Sequence, residues 1–220
     1  MAILIILSLV LSVFPVSVEN KAAETVDSTE EEEVVFVEDP DWESKEVVKE
    51  LDEDNKDSEG CQYRLYPIEK TAEIYGISTL LIKNADGDFI LRVPDRVVKD
   101  GKEYVVSKYA VTNTAGIKGK VRVYIGKEVT DIQMVSMYDS TAFYVHKENK
   151  SYTSEEGTLF SYDRTTLVSF NDDNYGSDAT YVIPDSVSKI NSDAFYGAKI
   201  KEVILNDQIK ELAWCAFCSS

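Results

Sequence analysis

Two stretches of this 220-residue chain repeat one another without a gap. Tyr181-Val-Ile-Pro-Asp-Ser-Val187-Ser-Lys-Ile190-Asn-Ser-Asp-Ala-Phe195 aligns with Val203-Ile-Leu-Asn-Asp-Gln-Ile209-Lys-Glu-Leu212-Ala-Trp-Cys-Ala-Phe217, at an offset of 22 residues throughout. Ile183 matches Leu205, Val187 matches Ile209, Ile190 matches Leu212, and Ala194-Phe195 matches Ala216-Phe217, while the residues between them vary. A unit this small cannot enclose a core, so its apolar positions are buried only by stacking on the next unit. The expected fold is a repeat solenoid, mainly β, with short helical or irregular turns.

A period of 22 lies within the leucine-rich-repeat range and is too short for two helices and their turns. Pro184 removes a backbone donor and fixes φ, so the strand that begins at Tyr181 should stop there. Each unit then reads as a short strand, a Pro or Asn corner, a second extended piece through Val187 to Ile190, and a turn carrying Ala-Phe. These residues, in the order IP-x-x-V-x-x-I-x-x-x-A-F, resemble the BspA-type leucine-rich repeats of bacterial and some protozoan cell-surface proteins. The resemblance implies stacked parallel strands and a role in adhesion to host matrix proteins or to other cells.

Weaker traces run upstream. Val123-Tyr-Ile125-Gly-Lys-Glu-Val129-Thr-Asp-Ile132 sits 58 residues before Ile183, Val187 and Ile190, with Gly126 in the Pro corner. The excess over one period is filled at about 143–167 by a segment similar to the hairpin insert of the same family, with turns at Glu156-Gly157 and Asp163-Arg164. Residues 61–122 are expected to form a divergent, β-rich capping region. Within it Tyr63-Arg-Leu65 and Thr71-Ala-Glu-Ile alternate as strands do, Asn84-Ala-Asp-Gly87 is a turn ahead of Phe89-Ile-Leu-Arg, and Asp100-Gly101 turns into Glu103-Tyr-Val-Val. The repeat region at 123–220 is expected to be incomplete at its C-terminus, with further repeats beyond it.

The N-terminus differs in kind. Residues 2–18 carry no charge and read as a signal peptide or, uncleaved, a membrane anchor, so the protein is expected to be secreted or held at the cell surface. Residues 19–60 contain 18 acidic and 4 basic side chains, most of the net charge of −17. Such a segment has too little apolar surface to offset its ordering entropy and is expected to be a disordered acidic linker. An EF-hand counted from Asp52 would need Gly and Glu where the chain has Asp57 and Tyr63.

Chemistry is sparse. His146 is the only histidine, and no Cys or carboxylate pair stands near it at ligand spacing, so neither a catalytic triad nor a metal site is expected. Cys215 and Cys218 straddle the packing pair Ala216-Phe217 and are a possible disulfide, with Cys61 left over. The acidic balance opposes phosphate and hence nucleic acid. Asn149-Lys-Ser151 is a glycosylation sequon. No cofactor is implied.

The expected function is therefore non-enzymatic: binding of an extracellular protein ligand, with the membrane engaged only through the N-terminal segment. The alternative is a targeting module of a larger secreted hydrolase. Strand alternation nominates the binding face. If Val123, Ile125, Tyr181, Ile183, Val203 and Leu205 point inward, then Tyr124, Val182 and Ile204 form one outward column, extended by Arg92, and Arg122, Thr180 and Glu202 form another.

Overall fold

The computed structural model describes residues 42–77, 89–111, 120–133, 141–218 and 220. After a short 3-10 turn at Trp42–Ser44, the strands are β1 (Val48–Glu50), β2 (Gln62–Tyr66), β3 (Thr71–Gly76), β4 (Phe89–Arg92), β5 (Arg96–Lys99), β6 (Lys102–Tyr109), β7 (Val121–Ile125) and β8 (Asp131–Ile132). There follow β9 (Thr141–Val145), β10 (Tyr152–Glu155), β11 (Thr158–Ser161), β12 (Thr166–Ser169), β13 (Thr180–Val182), β14 (Lys189–Ile190), β15 (Glu202–Ile204) and β16 (Glu211–Leu212). The described chain is thus mostly β with almost no helix. No helix among the described residues is long and apolar enough to cross a membrane, and the apolar stretch at 2–18 lies outside them.

The sequence repeat becomes strand register. β13 and β15 run parallel with Thr180 opposite Glu202, Tyr181 opposite Val203 and Val182 opposite Ile204; β14 and β16 pair Lys189 with Glu211 and Ile190 with Leu212. Between the strands the ladder continues through the turns, where the Phe195 N–H donates to the Ala216 carbonyl at 2.8 Å and the Lys210 N–H to the Ser188 carbonyl at 2.8 Å. The phenylalanines of successive units lie face to face. Phe170 stacks on Phe195 and Phe195 on Phe217, each pair with ring centroids 4.8 Å apart. Phe195 is buried but Phe217 only half so, and Leu205 and Leu212 are exposed, because no described unit lies beyond theirs.

Two further stacks are built the same way. β4, β7 and β9 form a three-stranded parallel sheet, and β6 pairs in parallel with both β3 and β8. The boundary expected for the insert therefore moves. Thr141–Val145 is a rung of the stack, with Phe143 opposite Val123, and only β10 and β11 form the antiparallel excursion, which β12 closes by pairing with β11 on one side and β14 on the other. Its offset from β7 is 20 residues and it carries no Ile-Pro, so the 22-residue template passes over it. The expected turn at Asn84-Ala-Asp-Gly87 lies outside the described residues; β4 itself pairs in parallel with β7.

The Gly turns behave as their sequences dictate. At both Asp100-Gly101 and Glu156-Gly157 the two central residues have positive φ, which matches the twist of the flanking antiparallel strands.

The acidic linker requires a correction for its second half. Residues 42–60, expected to be disordered, pack onto the array: β1 pairs in parallel with β5, Leu51 packs on the core that holds Tyr63 and Val97, and Asp57 is buried. Its carboxylate is fully occupied. Oδ1 accepts from the Glu59 and Cys61 N–H groups at 3.0 and 2.9 Å, and Oδ2 from the Tyr63 hydroxyl at 2.9 Å, with the Lys49 ammonium at 3.2 Å. Counting charges cannot reveal this, because a carboxylate buries readily once a cation and several donors meet it.

Candidate protein-binding face

The expected outward columns are divided between two sheets, which corrects the single continuous face inferred from alternation. Arg92, Tyr124 and Tyr144 form one rung of the β4-β7-β9 sheet, and Arg122 sits between Ile90 and Ala142 on another. Val182 and Ile204, with Thr180 and Glu202, belong to the β13-β15 pair.

On the second sheet the expectation of outward exposure holds. Val182 is 60% exposed and Ile204 45%, side by side in register. The Thr180 hydroxyl donates to the Glu202 carboxylate at 3.3 Å, so this end of the ladder is polar and the other apolar.

On the first sheet Tyr124 points away from Val123 and Ile125, as alternation requires, yet it is only 4% exposed. Its ring stacks on Tyr144 at 5.0 Å and receives the edge of Trp42 at 5.1 Å. Arg122 is also buried, with Nη1 donating to the Tyr144 hydroxyl at 3.2 Å. Trp42, Glu43, Ser44 and Lys45 thus lie as a strap over this column. Arg92 Nη2 donates to the carbonyls of Trp42 and Lys45. The Asp95 carboxylate accepts from the Val47 N–H at 2.8 Å, and the Val47 carbonyl accepts from the Asp95 N–H at 2.9 Å.

His146 closes the strap's far side. The Glu148 N–H donates to Nδ1 at 3.0 Å, so Nδ1 is the acceptor, and the protonated Nε2 donates to the Glu43 carbonyl at 3.1 Å. The Trp42 ring stands edge-on to the imidazole at 5.7 Å. The Glu43 carboxylate accepts from the Lys147 N–H at 2.7 Å and pairs with the Lys147 ammonium at 3.1 Å. Burial alone would raise the Glu43 carboxyl; the Lys147 donors outweigh it and leave the group below its ordinary range.

Asn149 is a tie that its sequon reading missed. Its amide donates to the Gly126 and Val129 carbonyls at 2.8 and 2.9 Å, its oxygen accepts from the Ser151 and Tyr152 N–H groups, and it is 1% exposed, so the folded chain withholds it from glycosylation. Asn206 does the same one stack along, donating to Pro184 and Val187. The signal was present in the sequence: both Asn residues follow the corner residue of the preceding unit by about one period.

Elsewhere, Cys215 and Cys218 are joined in a disulfide across the terminal Ala-Phe turn. Asp57, Glu59 and Cys61 bring ligand atoms within 4.8 Å of one another, but the Lys49 ammonium lies on both carboxylates and supplies the positive charge there. Burial first, and then the Asp57 carboxylate, push the Cys61 thiol up to about 12, which makes it a packing group rather than a nucleophile.

No protein-family model and no curated protein matches the chain. Solved structures similar to it include a leucine-rich repeat protein from Eubacterium ventriosum, at 20% identity and a TM-score of 0.45 over 60% of this chain and 35% of that one. The pneumococcal vaccine antigen PcpA is 10% identical, with a TM-score of 0.33, over 74% of this chain and 67% of its own. A leucine rich cell surface protein from Faecalibacterium prausnitzii is 13% identical, with a TM-score of 0.30, over 72% of each. The chain spans about a third of the length of the first of these. At such scores the strand registers, and not the likenesses, carry the description of the fold.

Proposed function

We propose that the chain is a leucine-rich-repeat array of BspA type that is exported, displayed at a cell surface, and binds a protein ligand in adhesion. The observation that carries this is the Val182–Ile204 ladder, an apolar column left open on a sheet whose other side is packed. A soluble chain has no need of two adjacent branched apolar residues in solvent, and such patches mark contact surfaces. The supports for export are the uncharged stretch at 2–18 and the Cys215–Cys218 disulfide, which suits an oxidising compartment. Recognition would be by surface complementarity: the face presents the apolar ladder and, at its polar end, the hydrogen-bonded Thr180 and Glu202.

The test replaces Val182 and Ile204 by Ser in the full chain and measures binding to immobilised matrix proteins and to partner cells. Binding falls at least ten-fold while the melting temperature is kept. Unchanged binding by the folded double variant removes this face, and absence of binding by the unmodified chain removes adhesion.

A further inference from the structure

The strap over the first sheet has the composition of a ligand. A tryptophan ring meets two aromatic rings edge-on, a carboxylate caps a backbone N–H and pairs with a lysine, and one arginine holds two carbonyls of the strap's backbone. These are contacts that a sheet face makes with a bound peptide: carbonyls give affinity whatever the sequence, and the ring and carboxylate pockets select it. The strap does not fill the groove. A cavity of about 180 Å³ remains between it and Arg92, Val93, Asp95, Gly126, Lys127 and His146.

We propose that the Arg92–Tyr124–Tyr144–His146 column is a second recognition site, occupied in cis by Trp42–Lys45, and that it takes in trans a short segment of a partner protein that forms the same 3-10 turn and carries Trp followed by an acidic residue. The occupant's chemistry is read from the strap itself. Tyr124 and His146 meet the aromatic side chain, Lys147 takes the carboxylate, and Arg92 takes carbonyls on either side of it. A tethered strap competes at a high effective concentration, so the closed groove binds a free segment weakly until the strap is weakened.

The test uses the full chain and a fluorescently labelled hexapeptide with the sequence of Trp42–Val47. In the Trp42→Ala/Glu43→Ala variant the groove's own occupant is removed, and the peptide binds at least ten-fold more tightly than to the unmodified chain. Adding Arg92→Ala returns binding to the unmodified level. Trp42→Ala alone carries the same comparison if the double variant melts early. Equal peptide binding with and without the strap's side chains overturns the proposal, as does tight binding that survives Arg92→Ala. A concentration-dependent dimer of the unmodified chain that Trp42→Ala disperses assigns the occupant to a second copy and overturns the partner-protein assignment. Because peptide binding is measured directly, its failure leaves the Val182–Ile204 face untouched, and the converse holds.

Discussion

The β4-β7-β9 and β13-β15 sheets use one strand pattern and end in opposite surfaces. In β7 all five residues are buried, because Val121, Val123 and Ile125 face the core while Arg122 and Tyr124 are covered from the other side. In β13 and β15 the central residue faces inward and both flanking residues stand in solvent. Alternation fixes which way a side chain points and is silent on what arrives to meet it. The cover on Tyr124 comes from a residue 82 positions earlier in the chain, beyond the reach of any local pattern.

The comparison can be broken first at its core. Phe195→Ala removes the middle ring of the Phe170–Phe195–Phe217 stack and is expected to cost about 3 to 5 kcal/mol in chemical denaturation. Phe217→Ala, at a half-buried ring, should cost distinctly less. Equal losses would mean that a further unit covers Phe217 in solution.

Next comes Asp57→Asn, which leaves the Lys49 ammonium facing only Glu59 and disturbs a buried set of donors; a loss of about 2 to 4 kcal/mol is expected. Limited proteolysis sharpens the same point. The resistant fragment should begin before Trp42, and a fragment beginning near Cys61 would restore 42–60 to the linker.

A smaller effect separates the two asparagine ties. Asn149→Ala removes the amide that donates to two carbonyls and accepts from two N–H groups at a buried site and should cost about 1 to 3 kcal/mol, whereas Asn206→Ala, at a half-buried site that water can reach, should cost less. The Cys61 thiol gives a pH signature. Its folded value lies above that of an unfolded cysteine, about 8.5, so its contribution is intact below that pH and is lost as the pH rises towards about 12. Iodoacetamide at pH 8 should leave it unmodified until the chain is unfolded. The smallest effect is that of Val182→Ser with Ile204→Ser, expected to change stability by about 0.5 kcal/mol or less per site.

What could be read from the sequence was local or periodic. The registers of β13–β15 and β14–β16 follow from one alignment, and the Asp100-Gly101 and Glu156-Gly157 hairpins follow from the preference of Gly for positive φ. The direction of the six outward positions follows from alternation, since direction is a property of the strand. The exposure of Tyr124 and Arg122 does not follow from it, since exposure belongs to the whole molecule. The acidic segment is misread for a related reason: its charge predicts repulsion only while Tyr63 and Arg96 are left out, and these are brought in by two different strands to join the segment's own Lys49.

The two Asp-Gly and Glu-Gly hairpins share a backbone but differ as places to build on. A side chain added at Gly157 would meet the Asn171 amide at 2.5 Å and the Ala142 methyl at 2.9 Å, whereas at Gly101 nothing lies within 4 Å. A side chain at Gly101 would therefore meet only the strain of a positive φ, while one at Gly157 would also wedge the hairpin off its neighbour. The turn at 100–101 is thus the more open of the two hairpins from which this protein can be labelled.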